Sequence, residues 1–159
     1  MIPRKKVNMK VYIASPFFNE EQLERVQFIE NTLKELDYDF FSPRLDTYVK
    51  PDSTHEERLK AFQDNLKGIN DADFVLAVTD GKDVGTIFEA GYAYKHTPIL
   101  YFAETLGDKP FNLMLAMSAE LGTCKSREEL RYKLNEIKKF NLIEDYILNN
   151  KDTYQGEIE

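Results

Sequence analysis

A strand, a helix and a second strand follow one another in residues 74–102, which read FVLAVTDGKDVGTIFEAGYAYKHTPILYF. The apolar run at residues 74–79 predicts a buried strand, residues 86–94 predict a helix, and residues 98–102 predict a further strand. Strands joined through a helix form parallel βαβ units, because a parallel pair needs a long crossover connection. This part of the chain therefore indicates an α/β protein with a parallel sheet.

The rest of the chain repeats this alternation. Further strands are predicted at residues 10–15, at residues 38–42 and near residues 119–124. Helices are predicted to start at Asn19, Thr54, Thr86 and Ser126. With right-handed crossovers, we expect a flavodoxin-like (Rossmann-like), doubly wound, five-stranded parallel sheet of order 2-1-3-4-5, with helices on both faces.

Three segments are less regular. Residues 43–53 contain two prolines and are predicted to form a loop. Residues 104–125 are expected to contain a loop and a short helical piece near Asn112 before the fifth strand. The helix at Ser126 is the last one predicted, and the polar residues 151–159 are expected to be a disordered tail.

The composition is that of an ordinary globular domain. The chain has 159 residues, of which 42% are hydrophobic and 31% are charged. We expect a single domain at residues 9–159, preceded by a flexible extension at residues 1–8 that lacks the apolar segment of a secretory signal. The net charge of −7 disfavours binding to nucleic acid, and no apolar run is long enough to span a membrane. The single cysteine, Cys124, favours a reducing compartment, so we expect a cytoplasmic protein.

Glu89 is the main catalytic candidate. It is the only charged residue in the predicted helix 86–94, which follows a strand at the sheet edge where open α/β sheets bind their ligands. A carboxylate among apolar neighbours is costly unless it is used or compensated. The N-terminus of the helix would help to keep it ionised, and such a carboxylate is a candidate nucleophile. The alternative is a solvent-exposed glutamate on the flank of a helix.

Two adjacent aromatic residues, Phe17 and Phe18, follow the first strand and could stack on a planar base. Phe18 could equally pack as a hydrophobic staple beside the helix start at Asn19. In the predicted helix 54–70, Asn65 lies on the edge of the apolar stripe that contains Leu59, Phe62, Leu66 and Ile69. We expect Asn65, rather than Asp64, to face the interior or a site, with a buried amide satisfied by the backbone as the alternative.

The sequence lacks the motifs of several common types of binding and catalytic site. It has no P-loop, no dinucleotide-binding glycine motif after the first strand and no nucleophile elbow. The two histidines, His55 and His96, lie apart, so we expect neither a metal nor a cofactor. The remaining carboxylates, amides, hydroxyls and aromatic rings suit glycosyl chemistry.

Four motifs stand in order along the chain. They read YIASPFF at residues 12–18, DVG with EAGYA at residues 83–85 and 89–93, PFNLM at residues 110–114, and YQGEIE at residues 154–159. With these motifs the sequence, from Tyr12 to its last residue, resembles the nucleoside 2-deoxyribosyltransferases.

The resemblance implies that Glu89 is the nucleophile and that Asp83 contacts the leaving base. It implies a homo-oligomer built from dimers, which in this family typically assemble into hexamers, and in it Asn112 and Met114 serve the site of the adjacent protomer. The other expected substrate-binding residues are Tyr12, Ser15, Phe17, Phe18, Asp46, Asn65 and Gly85. The implied substrates are 2′-deoxyribonucleosides and free purine or pyrimidine bases, and no cofactor is implied.

The sequence departs from the family pattern at two places. Some members have an aspartate before Leu-x-Gly-Ile, where this chain has Asn65. Asn65 can hydrogen-bond a base but cannot protonate it, so we expect Asp83 or a water molecule to carry that proton. The last residue is Glu159 rather than an aromatic one.

The expected reaction is transfer of 2-deoxyribose between bases by a retaining double displacement through a covalent deoxyribosyl-Glu89 ester. One alternative is a hydrolase that cleaves 2′-deoxynucleoside 5′-monophosphates, which would need a phosphate pocket from residues such as Ser15 and Arg44. A remote alternative is a non-enzymatic flavodoxin-like nucleotide-binding or receiver module, for which only Asp80 is suitably placed.

Overall fold

A five-stranded, all-parallel sheet of order β2-β1-β3-β4-β5 forms the centre of the computed structural model, which describes residues 8–47 and 49–159. The fold class and the strand order are those predicted from the sequence. The strands are β1 (Lys10–Ala14), β2 (Asp39–Phe41), β3 (Phe74–Val78), β4 (Ile99–Phe102) and β5 (Thr123–Cys124). Most of the predicted N-terminal extension lies outside the described residues.

Seven helices connect or follow these strands in the described part of the chain. They are α1 (Glu20–Glu35), α2 (Pro43–Asp46), α3 (His55–Asp71), α4 (Val84–Ala93), α5 (Leu113–Ser118), α6 (Arg127–Ile137) and α7 (Ile143–Asn149). Three of the four predicted helix starts are confirmed by side-chain caps: the oxygens of Asn19, Thr54 and Ser126 each accept a backbone N–H three residues on. The fourth, predicted at Thr86, was placed too late, because Asp83 caps α4 and the helix begins at Val84.

The two faces of the sheet are covered by different helices. Val11 and Ile13 of β1 pack with residues of α1, α6 and α7, whereas Tyr12 and Ala14 pack with residues of α3, α4 and α5. This division follows from the alternation of side chains along a strand. It places Tyr12 on the same side of the sheet as α4, the helix that contains Glu89.

Two helices were not predicted. Residues 43–46 were expected to be loop, but Pro43 is the first residue of α2, a position where proline costs no hydrogen bond. Asp46 supports this turn, because its Oδ2 accepts the N–H of Ser42 at 2.8 Å. Beyond the helix that was expected to be the last, α7 buries Ile143 and Tyr146 against the sheet.

The stripe predicted along α3 is buried only in its C-terminal half. Ile69 is fully buried and Leu66 is half-buried, whereas Leu59 and Phe62 are 45% and 47% exposed. Periodicity shows which residues share a face, but it does not show how far along the helix the sheet extends.

The prediction of a disordered tail was wrong for the residues that contact Phe111. The N–H of Phe111 donates to the carbonyl of Glu157 at 2.8 Å, and the N–H of Glu159 donates to the carbonyl of Phe111 at 2.9 Å. The ring of Tyr154 packs on that of Phe111, with centroids 5.3 Å apart. Composition misses this contact, because the two hydrogen bonds are made by backbone groups.

None of the helices in the described part of the chain has the length and the apolar character needed to cross a bilayer.

Candidate active site

Asp83 and Glu89 are positioned by the start of α4, directly after β3. Asp83 is the N-cap residue, and its Oδ2 accepts hydrogen bonds from the N–H and the hydroxyl of Thr86 at 2.9 and 3.0 Å. Glu89 lies more than one turn further along the helix and is half-buried. Gly85 is exposed in the first turn, where an added Cβ would lie 3.3 Å from Asp83 Oδ2.

The central contact of the site joins β1 to α4. Tyr12 is fully buried, and its hydroxyl donates a hydrogen bond to Glu89 Oε2. The sheet topology makes this contact possible, because β1 pairs with β3 and α4 follows β3 on the face to which Tyr12 points. Sequence reasoning placed Tyr12 in the pocket but missed its bond to Glu89.

Glu89 has a strongly perturbed ionisation. Burial raises the pKa of its carboxyl from 4.5 to about 7, the hydrogen bond from Tyr12 opposes this change, and the charge of Asp83 adds to it. The expectation that the helix N-terminus keeps Glu89 ionised was therefore incomplete. The helix dipole acts mainly within the first turn, which ends before Glu89, and desolvation has the larger effect.

Tyr12 remains a hydrogen-bond donor throughout the neutral range. Burial, followed by the charge of Glu89, raises the pKa of the phenol far above its ordinary value. Its ring stacks on that of Phe41, with centroids 5.4 Å apart and an interplanar angle of 14°. Phe41 was not among the predicted site residues, although its place at the carboxyl end of β2 is a signal that could have found it.

The predicted residues Asp46 and Asn65 lie near one another through Thr47. The Thr47 hydroxyl lies 3.0 Å from Asn65 Oδ1, and Asn65 is half-buried. Asp64 is also half-buried, so the expected contrast between the two neighbours is weaker than predicted, and it pairs with Lys60 at 2.6 Å. A cavity of about 240 Å³ lies beside them, lined by Asp46, Thr47, Glu57, Lys60, Ala61 and Asp64.

Phe17 and Phe18 have different environments. Phe17 packs against the core on the α1 side, and its ring centroid lies 4.8 Å from that of Phe18. Phe18 is 73% exposed, so it does not act as a hydrophobic staple and its ring face is accessible. Ser15 donates its hydroxyl hydrogen bond to the carbonyl of Pro16 at 3.0 Å.

Asn112 and Met114 lie at the start of α5. Asn112 is the N-cap, and its Oδ1 accepts the N–H groups of Met114 and Leu115 at 3.0 and 3.3 Å. Met114 is 74% exposed. Within the described ranges, no hydrogen bond joins either residue to Glu89, Asp83 or Tyr12 of the same chain.

Arg44 is engaged in a buried ion pair. Its Nε and Nη2 donate to the two carboxylate oxygens of Glu30 at 3.0 and 2.5 Å, and Ser42 donates to the same carboxylate at 2.7 Å. Glu30 is 2% exposed. The cation considered for a phosphate pocket is thus already bound to an internal carboxylate.

Asp80 is a structural residue in this fold. It is buried, and its carboxylate accepts the backbone N–H groups of Glu104 and Thr105 at 3.0 and 2.6 Å. These bonds hold the turn that follows β4. A receiver aspartate must be reachable by its phosphate donor, and Asp80 is not.

Among residues 8–47 and 49–159, no three histidine, cysteine, aspartate or glutamate side chains lie together as metal ligands would. The thiol of Cys124 is buried, and burial raises its pKa to about 12.

The family model described as Nucleoside 2-deoxyribosyltransferase matches residues 11–132. No curated protein matches the chain by sequence. Among solved structures, the 2-deoxyribosyltransferase of the psychrotolerant bacterium Bacillus psychrosaccharolyticus is 28% identical, with a TM-score of 0.72, and the match covers 92% of this chain and 99% of that one.

Two further structures share the fold at lower identity. A conserved protein from Enterococcus faecalis V583 is 18% identical, with a TM-score of 0.66, over 84% of this chain and 100% of that one. The Clostridium botulinum CMP N-glycosidase BcmB is 16% identical, with a TM-score of 0.52, over 82% of this chain and 99% of that one.

Proposed function

Because the chain belongs to the nucleoside 2-deoxyribosyltransferase family, we propose that it transfers 2-deoxyribose from a 2′-deoxyribonucleoside to a free purine or pyrimidine base. The observation that carries this proposal is the hydrogen bond from Tyr12 to a half-buried Glu89 at the carboxyl edge of the sheet. It fixes one carboxylate oxygen and leaves Oε1 to react with a sugar carbon.

In the first displacement, Glu89 Oε1 attacks C1′ of the nucleoside. A C–O ester bond forms while the C–N bond to the base breaks, and the electron pair of that bond goes to the departing nitrogen. In the second displacement a nitrogen of the acceptor base attacks C1′ from the vacated face and releases Glu89. Two inversions retain the configuration at C1′.

The departing base needs a proton, and we assign its delivery to Asp83 or to a water molecule that Asp83 holds. Asp83 Oδ2 is occupied by Thr86, whereas no hydrogen bond involves its Oδ1 in the described part of the chain. Asn65 can bind the base but cannot supply a proton at neutral pH.

The nucleophile gains from its surroundings in two ways. A desolvated carboxylate attacks more readily than a hydrated one, and the hydroxyl of Tyr12 orients it. Burial also keeps a large fraction of Glu89 protonated near pH 7, so only part of the enzyme carries the reactive carboxylate there.

Phe18, with its exposed ring, could stack on the base.

We favour unphosphorylated nucleosides over nucleoside 5′-monophosphates. A phosphate pocket needs an available cation or helix N-terminus. Arg44 is not available in this sense, because its Nε and Nη2 both donate hydrogen bonds to the carboxylate of Glu30. Ser15, the other candidate, donates to a backbone carbonyl. The monophosphate hydrolase therefore stays the alternative to be tested.

We also propose that the site is shared between protomers of a homo-oligomer. Leu113, Met114 and Met117 of the short helix α5 are 48%, 74% and 55% exposed in the single chain. Such apolar side chains are stabilised when another surface covers them. A partner protomer would bring Asn112 and Met114 to the sugar.

The test is an exchange assay. Thymidine or deoxyinosine is incubated with adenine or cytosine, and new nucleosides are separated by chromatography. The wild-type protein should form the exchanged nucleosides, Glu89→Gln should not, and the surface variant Glu128→Gln should match the wild type. Release of base from deoxynucleoside 5′-monophosphates, without any exchange between nucleosides, would replace the transferase by the hydrolase.

A further inference from the structure

The ring of Tyr12 is held between two elements other than its own strand. β1 and β2 are neighbours in the sheet, and Tyr12 pairs in register with Phe41. Registered residues of parallel strands project to the same face, which stacks the two rings 5.4 Å apart and nearly parallel. The stack therefore fixes one side of the phenol ring.

Gly68 of α3 lies directly against both of these rings. A Cβ added at Gly68 would lie 3.1 Å from Phe41 Cγ and 3.1 Å from Tyr12 Cδ2, closer than carbon atoms normally pack. Glycine destabilises the interior of a helix relative to alanine. The two rings occupy the space that a larger side chain would need, which explains the glycine at this position. Gly68 is the glycine of the Leu-x-Gly-Ile segment described in the sequence.

We propose that Phe41 and Gly68 are positioning residues for the nucleophile, holding the Tyr12 ring where its hydroxyl reaches Glu89 Oε2. The inference rests on the proposed role of Glu89, because a carboxylate without function would not need a precisely positioned Tyr12 hydroxyl. Neither Phe41 nor Gly68 has a side-chain group that could hydrogen-bond to Glu89, whereas both lie against Tyr12, so we expect them to act through Tyr12.

The physical reason is the directionality of the hydrogen bond. A methyl group at Gly68 requires the rings to move by a few tenths of an ångström, and the phenol oxygen, at the far end of the ring, moves with them. A hydrogen bond weakens steeply when its angle or length departs from the optimum. Loss of this donor removes the interaction that opposes protonation of Glu89.

The decisive measurement is the ionisation of Glu89 itself. In protein labelled with ¹³C at the glutamate carboxyl carbons, the Glu89 signal is assigned by its loss in Glu89→Gln and titrated without substrate. Gly68→Ala and Phe41→Leu should each raise the pKa of Glu89 by about half a pH unit or more above that of the wild type. Gln63→Ala, an exposed and uncharged change on the same helix, should leave it unaltered.

The same titration in the Tyr12→Phe background separates positioning from a general structural role. If Gly68 and Phe41 act through the Tyr12 hydroxyl, their substitution causes no further change once that hydroxyl is gone. An equal rise in both backgrounds, or an unaltered pKa in folded Gly68→Ala and Phe41→Leu proteins, overturns the inference. If one variant does not fold by circular dichroism, the other decides.

Activity gives an independent readout. Transfer by Gly68→Ala should fall about tenfold at pH 6 and recover partly at pH 8.5, because the carboxylate is restored at high pH. A wild-type protein that shows no transfer, but whose Glu89 titration responds to Gly68→Ala as described, would refute the proposed function and leave the positioning contact in place.

Discussion

The hydroxyl of Tyr12 donates a hydrogen bond to Glu89 across 77 residues of sequence. The two side chains meet because β1 lies beside β3, and α4 returns over the face of the sheet to which Tyr12 points. Most of the predictions below depend on this pair: the proposed role of Glu89 as nucleophile, the pH at which the protein is active, and the effect of the buried carboxyl on stability.

Replacement of Glu89 by glutamine should abolish transfer while leaving the fold intact. The amide keeps the size of the side chain but cannot form the sugar ester, so we expect the rate to fall by about a thousandfold or more. The rate is measured by exchange of bases, and the fold by circular dichroism. Near-normal transfer in this variant would remove Glu89 from the role of nucleophile.

The same variant should be more stable than the wild type at alkaline pH. The pKa of Glu89 is about 7 in the folded chain and near 4.5 when exposed, so the folded state holds the proton more tightly. Stability from this group is complete below pH 4.5 and is lost as the pH rises through about 7. The difference corresponds to about 3 kcal/mol at pH 8.

Denaturant unfolding of both proteins at pH 4, 6 and 8 measures this effect. The advantage of Glu89→Gln should be absent at pH 4 and largest at pH 8. A constant difference between the two proteins across that range would show that Glu89 does not titrate with a raised pKa.

Activity should rise with pH through about 7. If Glu89 is the nucleophile, as proposed, only its ionised carboxylate attacks the sugar, and its pKa in the free protein sets the acid limb of kcat/KM. Tyr12→Phe removes the donor that stabilises the carboxylate and should move this limb to higher pH. Rates with a nucleoside whose base does not titrate between pH 5 and 9 give the profile, and a flat profile over that range would contradict the assignment.

Mixed oligomers should recover activity that neither parent has. Asn112→Ala keeps its own Glu89, and Glu89→Gln keeps its own Asn112, so co-assembled chains form some sites with both intact residues. Co-expression should therefore restore part of the wild-type rate. Co-expression of Glu89→Gln with Glu89→Ala is the matched control and should stay inactive. Failure of the first pair to exceed this control, with mixed assembly demonstrated, would mean that each chain supplies its own Asn112.

Much of the fold could be predicted because its signals are local. The alternation of apolar strands with capped helices gives the order of elements, and the handedness of crossovers leaves few sheet topologies. Glu89 stands out as a candidate in the sequence because it is the lone charge in an apolar helix, and its catalytic role stays a prediction. The start of α2 could not be predicted with the same ease, because proline is typical of loops and also begins helices, as Pro43 does here.

The Tyr12–Glu89 bond could not be predicted from spacing alone, because it depends on which strand lies beside which and on the face covered by α4. One signal pointed toward it: Tyr12 is a phenol within the buried strand β1, and buried tyrosine hydroxyls almost always have a partner. The contact of the tail with Phe111 left no such signal, since backbone groups make its hydrogen bonds.

The cap at the start of α5 divides the amide of Asn112 between two tasks. Its oxygen is committed to the N–H groups of Met114 and Leu115, which leaves the nitrogen, a pure donor, to face outward. In the proposed shared site, the group that Asn112 meets would therefore have to offer a lone pair, as the ring oxygen or a hydroxyl of a sugar does. An aspartate at this position would still cap α5 through a carboxylate oxygen. It would repel the lone pair that the Asn112 nitrogen is proposed to bind, so it would affect the proposed contact and not the start of the helix.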